Sequence, residues 1–261
     1  MCFPFDAQPP IEPVRGAAVD SEDLTLESAD GTEFAAFVAR AKDGTGTGIV
    51  VLTDVRGLYR FYEELALRLA EEGINAIAID YFGRSAGVAK RDESFPYMDH
   101  VRLTRSASVA ADVAAAVAYL RSPEGGACRS IFTVGFCFGG SNSWLQAANG
   151  HSLAGVIGFY GRPGPGFDGS PGPVQRAREF TCPVLALMGG ADPSIPREDI
   201  EELQRAFNNA GIPNEVVVYP GAPHSFFDRS YERYASECAD AWQRVLSFVR
   251  KYSEPRSESA A

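Results

Sequence analysis

The stretch Ser130-Ile-Phe-Thr-Val-Gly-Phe-Cys-Phe-Gly-Gly140 decides how the rest of the chain is read. Its first half is a short apolar, β-rich run of strand length, and from Phe138 to about Ala148 the pattern turns helical. Between the two, Gly135-Phe-Cys-Phe-Gly139 has the form G-x-nucleophile-x-G. A strand-to-helix turn this tight forces its central residue into strained φ/ψ, and the crossing backbone comes so near that flanking glycines are required. Such a turn sets the Cys137 thiol above the end of the strand, where the helix N-terminus favours thiolate, and aims the Phe138 N–H at any oxyanion that forms there.

Outward from this unit the alternation continues. Residues 48–53, 74–79, 153–160, 183–188 and 215–219 are apolar runs of strand length, as expected of strands covered on both faces. Residues 59–72, 107–120, 197–210 and 231–252 read as helices; in the first, Phe61, Leu65, Leu69 and Glu72 keep the helical spacing and Gly73 stops it. Residues 24–28 and 33–40 flank the turn Ala29-Asp30-Gly31-Thr32 and read as an antiparallel hairpin. The pattern predicts an α/β fold: a mostly parallel sheet with helices on both faces behind an N-terminal antiparallel hairpin. Residues 1–22, with Pro4, Pro9, Pro10 and Pro13, are expected to form an extended arm, residues 23–252 a single domain, and residues 253–261 a fraying tail. Residues 161–173 carry four prolines and five glycines, which points to a long loop and a fairly open site with no large cap domain.

Composition narrows the partners. Over 261 residues, 24 Lys+Arg against 34 Asp+Glu give a net charge of −10, which repels phosphate backbones and anionic lipid, so no nucleic-acid or membrane partner is expected. The five cysteines, at 2, 128, 137, 182 and 238, show neither CxxC nor Cys/His ligand spacing, so a reducing, cytoplasmic setting is expected and no metal site. No stretch approaches ~18 uncharged apolar residues, the length a spanning helix needs.

In open α/β sheets chemistry gathers at the carboxyl ends of the strands. Three such ends carry a possible set in the chain order nucleophile, acid, base: Cys137, then Asp192 after the 183–188 strand, then His224 after the 215–219 strand. The other histidines, His100 and His151, stand at no strand end. Gly135-Phe-Cys-Phe-Gly-Gly140, Met188-Gly-Gly-Ala-Asp192 and Gly221-Ala-Pro-His-Ser-Phe226 resemble the three catalytic segments of the dienelactone hydrolase family within the α/β hydrolases, and Asp80-Tyr-Phe-Gly-Arg84 resembles its fourth-strand loop. The likeness runs from about residue 24 to 250.

The resemblance implies an α/β-hydrolase fold and hydrolysis of small ester or lactone substrates through a Cys137 acyl-enzyme, without metal or organic cofactor, by a monomer or homodimer. In that scheme Cys137 attacks, His224 is base and then acid, Asp192 holds the imidazole tautomer, and the Val55 and Phe138 amides form the oxyanion hole. Two positions depart from the family's pattern. Asp54 stands where the family has a thiol-activating Glu, and Asp228 stands where it has a substrate-binding Arg, with Arg229 beside it. Arg84, Arg56 and Arg229 are the cations expected to meet substrate. An anion beside Asp228 would face a like charge at about 4 Å, worth roughly 1–4 kcal/mol, so neutral esters or lactones are expected to be preferred over carboxylate-bearing ones. Two rival readings are a non-catalytic binding or sensing protein on the same frame and a glutamine amidotransferase-like thiol enzyme; the latter needs a His-x-Glu, and His224-Ser-Phe226 does not supply it.

Overall fold

The structure, a computed structural model, describes residues 7–17, 19–228 and 230–254. Eight strands, β1 Val19–Glu27, β2 Glu33–Ala41, β3 Thr47–Leu52, β4 Ile74–Ile79, β5 Ser130–Phe136, β6 Gly155–Phe159, β7 Val184–Gly189 and β8 Asn214–Tyr219, form one sheet in the order β1-β2-β4-β3-β5-β6-β7-β8. The hairpin β1–β2 joins antiparallel to β4, and every pairing from β4 across to β8 is parallel. The helices are α1 Arg60–Glu71, α2 Gly83–Ala86, α3 Tyr97–Leu103, α4 Ser106–Arg121, α5 Phe138–Leu145, α6 Pro173–Arg176, α7 Arg197–Asn209 and α8 Ala235–Tyr252. Among the described residues no helix is long and apolar enough to cross a membrane.

The period of two along β5 assigns the layers. Val134 and Phe136 share a small apolar space with Leu65 and Leu69 of α1 and with Trp242 and Val245 of α8. Gly135, between them, faces the other side, where a Cβ would run into the Gly139 carbonyl of α5. On that same side, Gly48 of β3 leaves room for Leu120 of α4 and for Cys128, and Gly158 of β6 for Trp144 of α5. Under the strand ends lies an aromatic layer, with Phe136 stacked on Phe159 at 4.6 Å and Phe227 tilted against Phe159 at 4.7 Å. It gives the turn at Cys137 a dense, dry underside.

The sheet and the five long helices fall where the apolar runs place them, and the differences have local causes. The strand β1 begins at Val19, inside the stretch read as an arm, because residues 20–23 are all exposed on an edge strand and are held by backbone pairing to β2 with no apolar alternation to mark it. Ser253 and Glu254 are tied down: the Ser253 hydroxyl meets that of Thr47 at 3.1 Å, and the Glu254 amide donates to Ser130 Oγ at 2.8 Å. The last predicted helix divides into a 3-10 turn at Tyr231–Arg233 and α8.

Candidate active site

Cys137 lies between β5 and α5 at φ 56°, ψ −114°, a backbone state that costs a non-glycine residue energy and persists only when its surroundings impose it. The surroundings do. The Cys137 amide donates to the Phe159 carbonyl of β6 at 3.0 Å, and a Cβ on Gly139 would strike the Leu52 and Thr53 carbonyls of the neighbouring strand. Cys137 is half-buried, whereas Cys128, Cys182 and Cys238 are buried free thiols, with burial pushing the latter two up to about 12. Among the described cysteines, Cys137 is therefore the one whose sulfur can be reached.

The partners come from β7 and β8. A Cβ on Gly189 would sit 2.6 Å from the Ala222 and Pro223 carbonyls, so glycine lets the two loops touch. The Gly190 amide then donates to Tyr219 O at 2.8 Å and the Ala191 amide to Ala222 O at 2.9 Å. This stitching brings His224 Nδ1 to 2.6 Å from Asp192 Oδ2. Ser194 supplies two more donors to Asp192, its amide at 2.8 Å and its hydroxyl at 2.6 Å. Burial pushes the Asp192 carboxyl up, but the hydrogen bonds from His224 and Ser194 outweigh it and hold the group below the usual carboxylate range. A carboxylate only accepts, so the proton of the shared bond sits on Nδ1, and in the neutral ring it is Nε2 that carries the lone pair.

Cys137, Phe138, Tyr160, Ser194 and His224 line one cavity of about 230 Å³. Its remaining wall includes Leu145, Ile195 and the loop after β6, from Arg162 to Pro173. Residues 161–172 form a long loop with no folded cap, as their composition predicts, and from Arg162 onward the loop walls one side of the cavity. Asp168 clasps this loop to α4 by accepting from the Ser106 amide at 3.0 Å and the Ser170 hydroxyl at 2.6 Å. The Tyr160 ring lies 5.0 Å from that of His224, and its hydroxyl donates to buried Asp228 at 2.9 Å.

Asp54 is buried at the end of β3 and is not part of this wall. Its carboxylate accepts from the Arg56 amide at 2.8 Å, from the Arg56 guanidinium at 3.0 Å and from the Tyr59 hydroxyl at 3.2 Å. The Val55 and Phe138 amides have no acceptor among the described residues. Behind Val55, the loop is anchored by Asp80, which accepts from the Leu58 amide at 3.2 Å and is ion-paired with buried Arg91 at 2.8 Å.

The expected substrate arginines are placed elsewhere. Arg84 is held by Asp112 and Asp30, both at 2.8 Å, and Arg56 by Asp54, so neither lines the cavity; the carboxylates drew them into ion pairs. Arg229 lies outside the described residues. Arg162, which sequence reasoning missed, does line the cavity as an exposed side chain. Tyr160 and Phe167 were missed too, although Tyr160 ends a strand and Phe167 is the one aromatic in a loop of glycines and prolines. His100 meets Ser85 and stacks on Phe95 at 4.7 Å, and His151 meets Gln146, both away from the cavity.

The strand order, the strained cysteine turn and the acid–histidine pair on the last two strands define an α/β hydrolase. Residues 34–253 match the sequence profile of the dienelactone hydrolase family, and the chain belongs to that family of hydrolases. A carboxymethylenebutenolidase from Rhodococcus opacus is 30% identical over 233 residues, covering 82% of this chain and 84% of its own. An Escherichia coli O157:H7 relative, named “Putative carboxymethylenebutenolidase”, is 31% identical over 262 residues, covering 95% of this chain and 96% of its own. The crystal structure of a Klebsiella pneumoniae relative superposes with a TM-score of 0.79 at 29% identity, over 90% of this chain and all of the other.

Proposed function

We propose that the chain hydrolyses small esters or lactones through a thioester on Cys137. The observation that carries this reading is the 2.6 Å contact between Asp192 and His224, which leaves Nε2 free to act in the cavity that also holds the thiol. In the first half-reaction His224 Nε2 accepts the Sγ proton as sulfur attacks the carbonyl carbon, and the Val55 and Phe138 amides donate to the oxyanion. The acyl C–O bond breaks, the imidazolium returns its proton to the departing alkoxide, and the acyl group stays on sulfur. In the second, His224 takes a proton from water as its oxygen attacks the thioester. The C–S bond breaks, the thiol is restored and a carboxylic acid leaves. Asp192 stays ionised throughout and holds the tautomer. Asp54, locked to Arg56, contributes only charge at a distance in this scheme.

A cavity near 230 Å³ is below the roughly 300–1,000 Å³ of sites that enclose drug-sized ligands, which favours a small substrate. Brief exposure to an activated aryl acetate, followed by intact-protein and peptide mass measurement, tests the reading. An acetyl adduct on Cys137 that turns over in the wild type and is missing in Cys137→Ala is expected. Tight binding of the ester with neither adduct nor turnover would instead mark a binding protein built on the hydrolase frame.

A further inference from the structure

We infer that the site is built for a neutral ester whose acyl group is arylalkyl or branched alkyl, seated between Phe138 and Phe167. This rests on the thioester reading above and names the substrate class for it. After the alcohol has left, the acyl group remains on Sγ, so the cavity that opens at Cys137 must hold it through the second half-reaction. Much of the wall it would meet is apolar, the Phe138, Leu145, Phe167 and Ile195 side chains with the ring of Tyr160, beside the polar Thr104, Ser106, Ser141, Asn142 and Asp168.

Phe167 is the informative residue. It is 55% exposed, and its ring lies 6.1 Å from that of Phe138, the neighbour of the nucleophile. The clasp by Asp168, the very next residue, holds it there against its tendency to bury. An aromatic ring fixed in water at a cavity mouth has apolar area that only a bound apolar group covers, at roughly 25 cal/mol per Å². Charge agrees with this. Arg56, Arg84 and Arg91 are occupied by Asp54, Asp30, Asp112 and Asp80, and Asp168 brings a carboxylate to the same wall. Arg162, exposed on the wall, is the rival feature, since it would favour a carboxylate-bearing acyl group.

The experiment measures kcat/KM for p-nitrophenyl acetate, isovalerate, phenylacetate and hemisuccinate, each divided by its hydroxide-catalysed rate constant, with wild type, Phe167→Ala, Arg162→Ala and Cys137→Ala. Phenylacetate and isovalerate are expected to exceed acetate by about tenfold or more, the order of selectivity an apolar pocket supplies. In Phe167→Ala the phenylacetate-to-acetate ratio should fall about fivefold while Arg162→Ala leaves it in place. A flat acyl series overturns the inference. So does a phenylacetate preference that survives in Phe167→Ala, or a hemisuccinate preference lost in Arg162→Ala. Turnover of every ester by Cys137→Ala would sink the thioester reading itself, which separates the two failures.

Discussion

At the scale of single residues, the proposed chemistry depends on one proton's position. Asp192 accepts from Nδ1 at 2.6 Å, and its replacement by an amide would present an NH2 group where an acceptor is needed. Asp192→Asn is therefore expected to lower ester turnover by about 10²–10⁴-fold, with Asp54→Ala having a smaller effect because Asp54 is engaged by Arg56 and Tyr59 rather than by the imidazole. Steady-state rates of the two variants check this ranking, and the reverse order would make Asp54 the working carboxylate. Cys137→Ala and His224→Ala should each remove turnover by about 10⁴-fold or more while circular dichroism and urea midpoint stay near the wild type, since both side chains are only half-buried at the edge of the core. This scale also shows what sequence can and cannot mark: it offers Cys137, Asp192 and His224 as candidates, and the structure pairs Asp192 with His224 and sets Cys137 and His224 on one cavity. Cys137, Asp192 and His224 are legible because each follows a strand end and their order fits a known constellation. Arg84 misleads because a charged residue in a strand-end loop looks the same in sequence whether it faces substrate or, as here, Asp30 and Asp112.

At the scale of elements, the turn from β5 to α5 is held by packing that leaves no volume for a methyl group. A Cβ at Gly135 would overlap the Gly139 carbonyl, so the helix would have to rise off the sheet. Gly135→Ala is expected to destabilise the protein by about 3 kcal/mol or more, among the larger single-site effects. Gly221, whose added Cβ would meet nothing within 4 Å, provides the contrast, and Gly221→Ala should stay within about 0.5 kcal/mol of wild type. Urea denaturation of both variants measures the difference; equal midpoints would mean that α5 can shift to accommodate the methyl. The glycine spacing at this turn was readable in the sequence because steric exclusion acts over five consecutive residues. The wall formed by residues 161–172 was not, because it is made by Asp168 reaching Ser106, a contact that spans 62 residues and leaves no periodic trace.

At the scale of the molecule, a buried charge joins the hairpin to the helical layer. Asp112, fully buried on α4, accepts from Ser28 beside the hairpin turn and from Arg84, which also holds Asp30. Burial pushes the Asp112 carboxyl up to about 6, against the opposing hydrogen bonds from Ser28 and Arg84. Between about pH 4 and 6 the folded chain therefore keeps a proton that the unfolded chain releases. Its stability falls as pH rises through that window, by at most about 3 kcal/mol. Urea midpoints at several pH values for wild type and Asp112→Asn test this. The wild-type stability minus that of the variant should decline from pH 4 to 6 and be level above, and a difference that rises with pH would show Arg84 dominating over burial.

What the sequence determined by itself is what depends on local and periodic information: the order of strands and helices, the strained turn at Cys137, and the chain order of the three candidate groups. The apolar runs report strands covered on both faces, and the glycines report backbone crossings that no side chain could share. Only the tertiary structure decided which cations are already paired, that β1 extends back to Val19, and which side chains wall the cavity. Those outcomes depend on contacts between segments far apart in the chain. In such contacts a carboxylate competes with solvent and substrate for each arginine, and the winner is set by three-dimensional distance rather than by position in the sequence.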